Sequence, residues 1–350
     1  MKKLISCASY YGCGSSAITD LVSEYSGVKS LTEYEFRFIQ DTDGIMDLEY
    51  HLVKAPNRHN SGHALKRFWN LSQFNSGTWF DKRYERFFGG EYIKLTKQYV
   101  DALTRVTFKG YWFMDLYELG KTRYYIKSIE TKILRLFHLE KKISLMPNEV
   151  TLCPYIDADK FLYLTRKYIS DLINVLCPNK DEILVMDQLT PSSNINNCLR
   201  YFDDNFRTVV VDRDPRDIYA SNMMVWNEGV IPTNAKDFCE WFDFTRSCAK
   251  NQEYDHTKVL KIKFEDLIYK YDDMLLLLEN FLGLDPKAHN AQFSKLNPQR
   301  SVVNTQLFRK YPKQDEIKFI EEHLAEYLFD FDKVKDYKIS GVKPQSTKAF

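Results

Sequence analysis

The stretch Leu4-Ile-Ser-Cys-Ala-Ser-Tyr-Tyr-Gly-Cys-Gly-Ser-Ser16 decides the fold class of this 350-residue chain. Residues 4–9 have the apolar character of a short buried strand. Two glycines follow in the segment 10–14, and residues 15–25 carry apolar side chains at helical spacing, at positions 17, 18, 21 and 22. The sequence therefore predicts a strand, a tight turn and a helix in immediate succession.

The turn at residues 10–16 has the composition of an anion site. Glycine permits the positive φ angles that let backbone N–H groups converge, and Ser15 and Ser16 add hydroxyl donors beside a helix N-terminus. The loop lacks the lysine of a Walker A motif, and no acidic residue clearly closes the next strand as a dinucleotide fingerprint requires. From the turn alone, a phosphate site and a purely structural turn both stay open.

Further strands are predicted on both sides of a long middle segment. Residues 31–39 alternate charged and aromatic side chains, whereas residues 182–187, 207–211 and 259–264 are continuous apolar runs typical of a buried parallel sheet. Helical patterns separate them, at residues 90–107, 126–137, 159–176 and 272–282. This alternation predicts the α/β class, with a central parallel sheet flanked by helices. We expect one domain over residues 1–340, a mostly helical insertion at 41–179, and a flexible tail at 341–350.

A second phosphate motif follows the strand at 207–211. It reads Asp212-Arg-Asp-Pro-Arg-Asp-Ile-Tyr-Ala-Ser221. Pro215 suits the first turn of a helix, so Arg213 is expected at the strand tip and Ser221 nearly two turns into the helix, where both can reach one phosphate. The alternative is structural, with Arg213 and Arg216 in ion pairs with neighbouring aspartates.

Together the two motifs resemble the sulfotransferase superfamily, including its bacterial members. The resemblance implies a fold like that of P-loop-containing nucleoside triphosphate hydrolases, and 3′-phosphoadenosine 5′-phosphosulfate (PAPS) as the co-substrate, with no metal. It implies that the turn binds the 5′-phosphosulfate and that Arg213 and Ser221 bind the 3′-phosphate. Two weaker matches are the Glu265-Asp266-Leu turn and a late basic loop that covers the nucleotide. The implied nucleotide-binding residues are Tyr11, Gly12, Cys13, Gly14, Ser15, Ser16, Arg213, Ser221, Arg300 and Asn304.

One position departs from the family pattern. Members usually carry Lys or Arg two positions before the glycine aligned with Gly14, where this chain has Gly12. Another cation must then substitute, or transfer is slow or absent. The candidate substitutes are Arg37, Arg58, Lys66 and Arg67.

The general base has several candidates. Glu35 lies on the charged face of the strand after the turn helix, where some bacterial sulfotransferases resemble this sequence in placing a glutamate base; its alternative is a surface pair with Arg37. His59 and His63 belong to a polar cluster of catalytic side-chain types. Asp187 ends a buried strand, and parallel strands present their carboxyl ends to ligands.

Composition excludes several function classes. Lys and Arg number 49 against 48 Asp and Glu, so a globally basic nucleic-acid binder is disfavoured. No apolar run approaches the length of a membrane-spanning helix, and a short N-terminal apolar segment argues against a secretion signal, so a cytoplasmic protein is expected. Seven cysteines without a C-x-x-C pair argue against a disulfide framework or a zinc site.

Charge is nevertheless uneven along the chain. Residues 51–100 contain nine Lys or Arg, three Asp or Glu and ten aromatic residues. Such a segment can stack on sugar rings; alternatively, it is a solvated helical face. We expect a sulfotransferase acting on a hydroxyl, of a glycan or glycolipid as in polysaccharide modification. The alternatives are a non-catalytic nucleotide- or polyanion-binding P-loop protein and, less favoured, an ATP-dependent P-loop kinase.

Overall fold

The strand predicted at residues 4–9 is the central strand of a five-stranded sheet in the computed structural model. The structure describes residues 3–139, 146–179, 182–226, 229–250 and 252–343. Within them the strands are β1 (Leu4–Ser9), β2 (Val28–Glu35), β3 (Thr104–Lys109), β4 (Val150–Pro154), β5 (Ile183–Asp187), β6 (Phe206–Asp212) and β7 (Val259–Lys263).

Helices connect these strands. They are α1 (Ser16–Val22), α2 (Ile45–Glu49), α3 (Asn60–Ser76), α4 (Glu85–Phe88), α5 (Glu91–Leu103), α6 (Phe113–Glu118), α7 (Gly120–Leu136), α8 (Ala158–Leu176), α9 (Asn196–Leu199), α10 (Pro215–Ser221), α11 (Ala235–Lys250), α12 (Phe264–Tyr269), α13 (Tyr271–Leu282), α14 (Pro298–Ser301) and α15 (Gln314–His323). Among the described residues, none of these helices is both long and apolar enough to cross a bilayer.

The described chain divides into two compact units, one of residues up to 37 together with those from 177 onward, and one of residues 38–176. The first unit contains the large sheet, whose strand order is β2-β5-β1-β6-β7. Every neighbouring pair is parallel; Leu4 pairs with Leu184 on one side and with Phe206 on the other. The predicted α/β class with a central parallel sheet and a P-loop-like strand–turn–helix is confirmed.

Burial explains why β1 is central. Five of its six side chains, residues 4–8, are buried, as expected for a strand with neighbours on both edges and cover on both faces. Helix α1 packs Ile18, Leu21 and Val22 into the same core. Because all five strands are parallel, their carboxyl ends lie along one edge of the sheet, and the loops that follow them can form a common site.

The second unit combines helices α2–α8 with a two-stranded antiparallel sheet of β3 and β4. The predicted helix at 90–107 is wrong at its end, because α5 stops at Leu103 and residues 104–109 form β3. The β-branched residues Thr104, Val106 and Thr107 favour a strand once β4 is there to pair with them. Of the predicted tail, residues 344–350 lie outside the described residues.

Candidate active site at the carboxyl edge of the sheet

The glycine turn after β1 adopts the backbone that the sequence predicts. Gly12 and Gly14 have φ angles of +69° and +83°, in the left-handed region that glycine tolerates. Tyr11 is half exposed, and Ser15 and Ser16 stand at the start of α1. The turn is close to the first residue of α12, since a Cβ added at Gly14 would lie 2.9 Å from the Phe264 ring.

Two alanine variants test this packing. Gly12→Ala places a Cβ 3.5 Å from Ile218 Cγ2, which is an ordinary van der Waals contact. We therefore expect mainly the cost of a left-handed backbone at a non-glycine residue, about 1–2 kcal/mol of unfolding free energy. Gly14→Ala adds a clash with the buried Phe264 ring, for a total loss of about 2–4 kcal/mol. Urea unfolding measures both. Equal stability of the two variants would contradict the tight contact at Gly14.

The side chain of Cys13 is turned into the protein core. It is fully buried, its Sγ donates to the Tyr10 carbonyl at 3.0 Å, and burial raises the pKa of the thiol to about 12. Arg246 packs against this thiol, with its Nη2 3.4 Å from Sγ. The same Nη2 donates to Asp212 Oδ1 at 2.7 Å, and the guanidinium stacks on the Phe242 ring. Sequence patterns gave no indication of this buried arginine.

The two arginines of the second motif have different roles. Arg216 is held in place structurally, because its guanidinium pairs with Asp214 at 2.7 Å and with Glu321 at 2.8 Å. Arg213 donates instead to the carbonyl oxygens of Gly12 and Asn304, which joins the glycine turn to the late basic loop. The ion-pair alternative therefore applies to Arg216.

Arg213 and Ser221 each contribute a buried donor without a partner among the described residues. Their side chains are 5% and 2% exposed, yet Arg213 Nε and Ser221 Oγ have no hydrogen-bond partner among the described residues. Both residues line the same cavity. Buried donors without partners are rare in folded proteins and cost free energy, so each needs an explanation.

This cavity has a volume of about 710 Å³ and is lined entirely by the first unit. Four cations line it, Arg37, Arg213, Lys295 and Arg300. Its lining also includes the predicted residues Tyr11, Gly12, Gly14, Ser15, Ser16, Ser221, Asn304, Glu35 and Asp187, and the apolar side chains of Trp226, Val230 and Ile231. Lys295 and Trp226 were not predicted; Lys295 stands five residues before Arg300, a basic spacing that could have indicated it, whereas nothing in the sequence singles out Trp226.

The two carboxylates at the end of the sheet are neighbours across paired strands. Glu35 on β2 is in register with Asp187 on β5, and Glu35 lies 3.8 Å from Arg37. Asp187 is 8% exposed. Burial, and then the charge of Glu35, raises the pKa of Asp187 to about 7. The backbone N–H of Gln188 donates to Asp187 Oδ1 at 3.0 Å, which holds the carboxylate in position.

The histidine candidates belong to the second unit. His63 is buried, and its two ring nitrogens face Asp115 at 3.3 Å and Glu118 at 3.1 Å, so both nitrogens already have carboxylate partners. His59 stacks on Trp112 with ring centres 3.7 Å apart. Both line a cavity of about 110 Å³ together with Arg58 and Lys66.

Of the four cations proposed to compensate for Gly12, Arg37 lies in the cavity that contains the turn. Lys66 and Arg67 are instead paired within the second unit, with Glu149 and Asp43. Among the described residues there is no group of three or more His, Cys, Asp or Glu side chains that could hold a metal ion.

No protein-family model and no curated protein matches this sequence. Solved structures do match. The sulfotransferase domain from the curacin biosynthetic pathway has a TM-score of 0.38 and 13% identity, over 94% of this chain and 99% of that chain. Sulfotransferase STF1 from Mycobacterium tuberculosis H37Rv has a TM-score of 0.36 and 12% identity, over 93% of this chain and 77% of that chain.

A third match is retinol dehydratase in complex with androsterone and the inactive cofactor PAP. Its TM-score is 0.34 and its identity 14%, over 96% of this chain and 82% of that chain. In its glycine turn and its R-D-P-R-D segment, this chain resembles the sulfotransferase superfamily.

Proposed function

We propose that this chain transfers a sulfuryl group from PAPS to a hydroxyl acceptor. The observation that carries the proposal is the pair of buried donors without partners, Arg213 Nε and Ser221 Oγ, in one cavity with the glycine turn. A phosphate group accepts from both donors and carries the charge that a buried guanidinium prefers. The 3′-phosphate of the donor nucleotide has this chemistry, so the residues present fit it.

The 5′-phosphosulfate end of PAPS carries negative charge that must be neutralised at the glycine turn. When bound, PAPS supplies an electrophilic sulfur and a phosphate leaving group. Ser15 and Ser16 offer hydroxyl donors, and Arg37 and Lys295 are cations in the same cavity that can take over the charge missing at Gly12. Preorganised donors and cations of this kind stabilise the charge that develops on a leaving oxygen.

We propose Asp187 as the general base, in preference to Glu35. Its raised pKa, about 7, lies near neutral pH, where a substantial fraction of the carboxylate is ionised and the group is basic enough to accept a proton. The acceptor hydroxyl gives its proton to the Asp187 carboxylate as its oxygen bonds to sulfur. The bond between sulfur and the bridging oxygen breaks, and that oxygen leaves with 3′,5′-adenosine bisphosphate (PAP).

For the acceptor we propose a carbohydrate hydroxyl, on a glycan or a glycolipid. The second unit exposes three aromatic side chains in sequence proximity, Phe74, Trp79 and Phe80, which are 62%, 83% and 88% exposed. Arg83 lies 3.8 Å above the Phe74 ring. Exposed aromatic faces beside a cation suit the apolar faces and polar substituents of sugar rings.

The experiment that tests donor binding is a thermal shift with PAP. At about 100 times Kd, PAP is expected to stabilise the protein by about 2.7 kcal/mol, which raises Tm by several degrees. ATP with magnesium is the comparison ligand, because the kinase alternative predicts that it stabilises more than PAP does. No shift with PAP would contradict the proposal.

A second candidate function is nucleotide binding without transfer, which the uncharged Gly12 favours. Incubation with PAPS labelled in the sulfuryl group and a panel of glycans and glycolipids separates the two. Transfer of label to an acceptor supports the enzyme. A PAP-dependent thermal shift without label transfer to any acceptor of the panel supports the binder.

A further inference from the structure

Helix α7 of the second unit has no buried residue along its length. Five of its apolar side chains are more than half exposed: Tyr125 at 63%, Ile126 at 52%, Ile129 at 57%, Ile133 at 51% and Leu136 at 78%. On a helix of about 3.6 residues per turn these positions form one continuous stripe. Phe137, directly after the helix, extends the stripe and is 66% exposed.

The apolar face of α7 is exposed, and its more polar face is the one that is partly covered. The partly covered positions are Lys127, Ser128, Thr131 and Leu134, which lie on the side away from the stripe. Surface helices normally turn their apolar face toward the core. An exposed apolar stripe of this size marks a binding surface.

Charge indicates what binds there. Helix α7 contains five cations and one acid, Glu130; the cations are Lys121, Arg123, Lys127, Lys132 and Arg135. Glu130 and Arg123 border the stripe on one side and Lys132 borders it on the other, and all three are exposed. A second copy of the helix would bring these cations together, which disfavours self-association through the stripe.

We propose that α7 is an interfacial helix that lies on an anionic membrane surface, with its stripe among the acyl chains and its cations at the headgroups. An apolar stripe flanked by Lys and Arg is the pattern of helices that bind in this way. Anionic lipids attract such cations, whereas neutral lipids leave the binding to the stripe alone. This inference is independent of the proposed activity.

Sedimentation with vesicles tests the proposal on the full chain. We expect binding to vesicles of phosphatidylcholine with about one third phosphatidylglycerol, and at least tenfold weaker partitioning to pure phosphatidylcholine. Ile129→Asp with Ile133→Asp is expected to abolish binding, because two charges then enter the acyl region. Arg123→Gln with Lys132→Gln is expected to weaken binding to the anionic vesicles at least tenfold and leave binding to neutral vesicles unchanged.

The matched control is Leu276→Asp with Leu277→Asp. These leucines are 60% and 43% exposed on α13, whose first turn carries Asp272 and Asp273, and this variant should bind vesicles like the wild type. Circular dichroism checks that every variant is folded. The proposal is overturned if the wild type does not bind anionic vesicles, if it binds neutral ones equally well, or if Ile129→Asp with Ile133→Asp removes only self-association or capture of another protein.

Discussion

Replacement of Asp187 by Asn is expected to lower the rate of sulfuryl transfer by about 10²–10⁴-fold, the usual contribution of a general base. The amide has nearly the shape of the carboxylate and keeps an oxygen for the N–H of Gln188, so the site should stay folded. PAP binding should be unchanged within about twofold. Single-turnover transfer of labelled sulfuryl, with PAP titration in parallel, measures the two effects separately.

The pH profile identifies which carboxylate acts. Because Asp187 has a pKa of about 7, kcat/KM should rise as pH increases through about 7 in the wild type. The charge of Glu35 contributes to that raised pKa, so Glu35→Gln should keep most of the activity and move the rise to lower pH. Loss of activity in Glu35→Gln, with retention in Asp187→Asn, would instead assign the base to Glu35.

Asp187 also links stability to pH. Its pKa in the folded protein lies above the unfolded value of about 3.9, so the folded state favours the neutral form. The neutral carboxyl group of Asp187 therefore contributes to the free energy of unfolding in full below about pH 4, and this contribution is lost as pH rises through about 7. We expect Asp187→Asn to be more stable than the wild type at pH 8, by up to about 4 kcal/mol, and the difference to disappear near pH 4. Urea unfolding at both pH values measures it.

A large loss of PAP affinity is expected when either of the two buried donors without partners, Arg213 Nε or Ser221 Oγ, is removed. Ser221→Ala removes a buried hydroxyl that has no partner among the described residues, so the free protein should be as stable as the wild type or slightly more so. Its affinity for PAP should fall by about tenfold or more, because a hydrogen bond to a charged group is lost. Calorimetric titration and thermal unfolding give the two values.

Arg213→Ala should weaken PAP binding further, by about 100-fold, since it removes the charge as well. It also breaks the bonds to the carbonyl oxygens of Gly12 and Asn304, so Arg213→Lys is the variant that keeps the charge while losing the forked geometry. The controls are Ser247→Ala and Arg309→Ala, exposed residues that do not line the cavity. Unchanged PAP affinity in Ser221→Ala would remove the main support for a phosphate at this position.

Local patterns predicted the parts of the fold that depend on neighbours in sequence. The strand at residues 4–9, the glycine turn and α1 follow from apolar spacing and from backbone freedom at Gly12 and Gly14. The parallel sheet followed from continuous apolar runs. The predicted end of the helix at residues 90–107 was wrong because residues 104–109 take the strand conformation only through pairing with β4. Even the closest paired residues, Lys109 and Val150, are 41 positions apart in sequence, a separation that local patterns do not cover.

The candidate site also has features that local sequence predicts and features that depend on tertiary contacts. The sequence was sufficient to predict a glycine turn for one anion and an arginine and a serine for a second phosphate, because the spacing of glycines and the strand–helix motif around Arg213 are local properties. Only the tertiary structure decided that Arg216 is paired, that Cys13 points inward against Arg246, and that Lys295 joins the cavity. It also decided that the pKa of Asp187 is raised, because burial and the nearby charge of Glu35 depend on which strands are neighbours in the sheet, and strand order is a property of the whole fold.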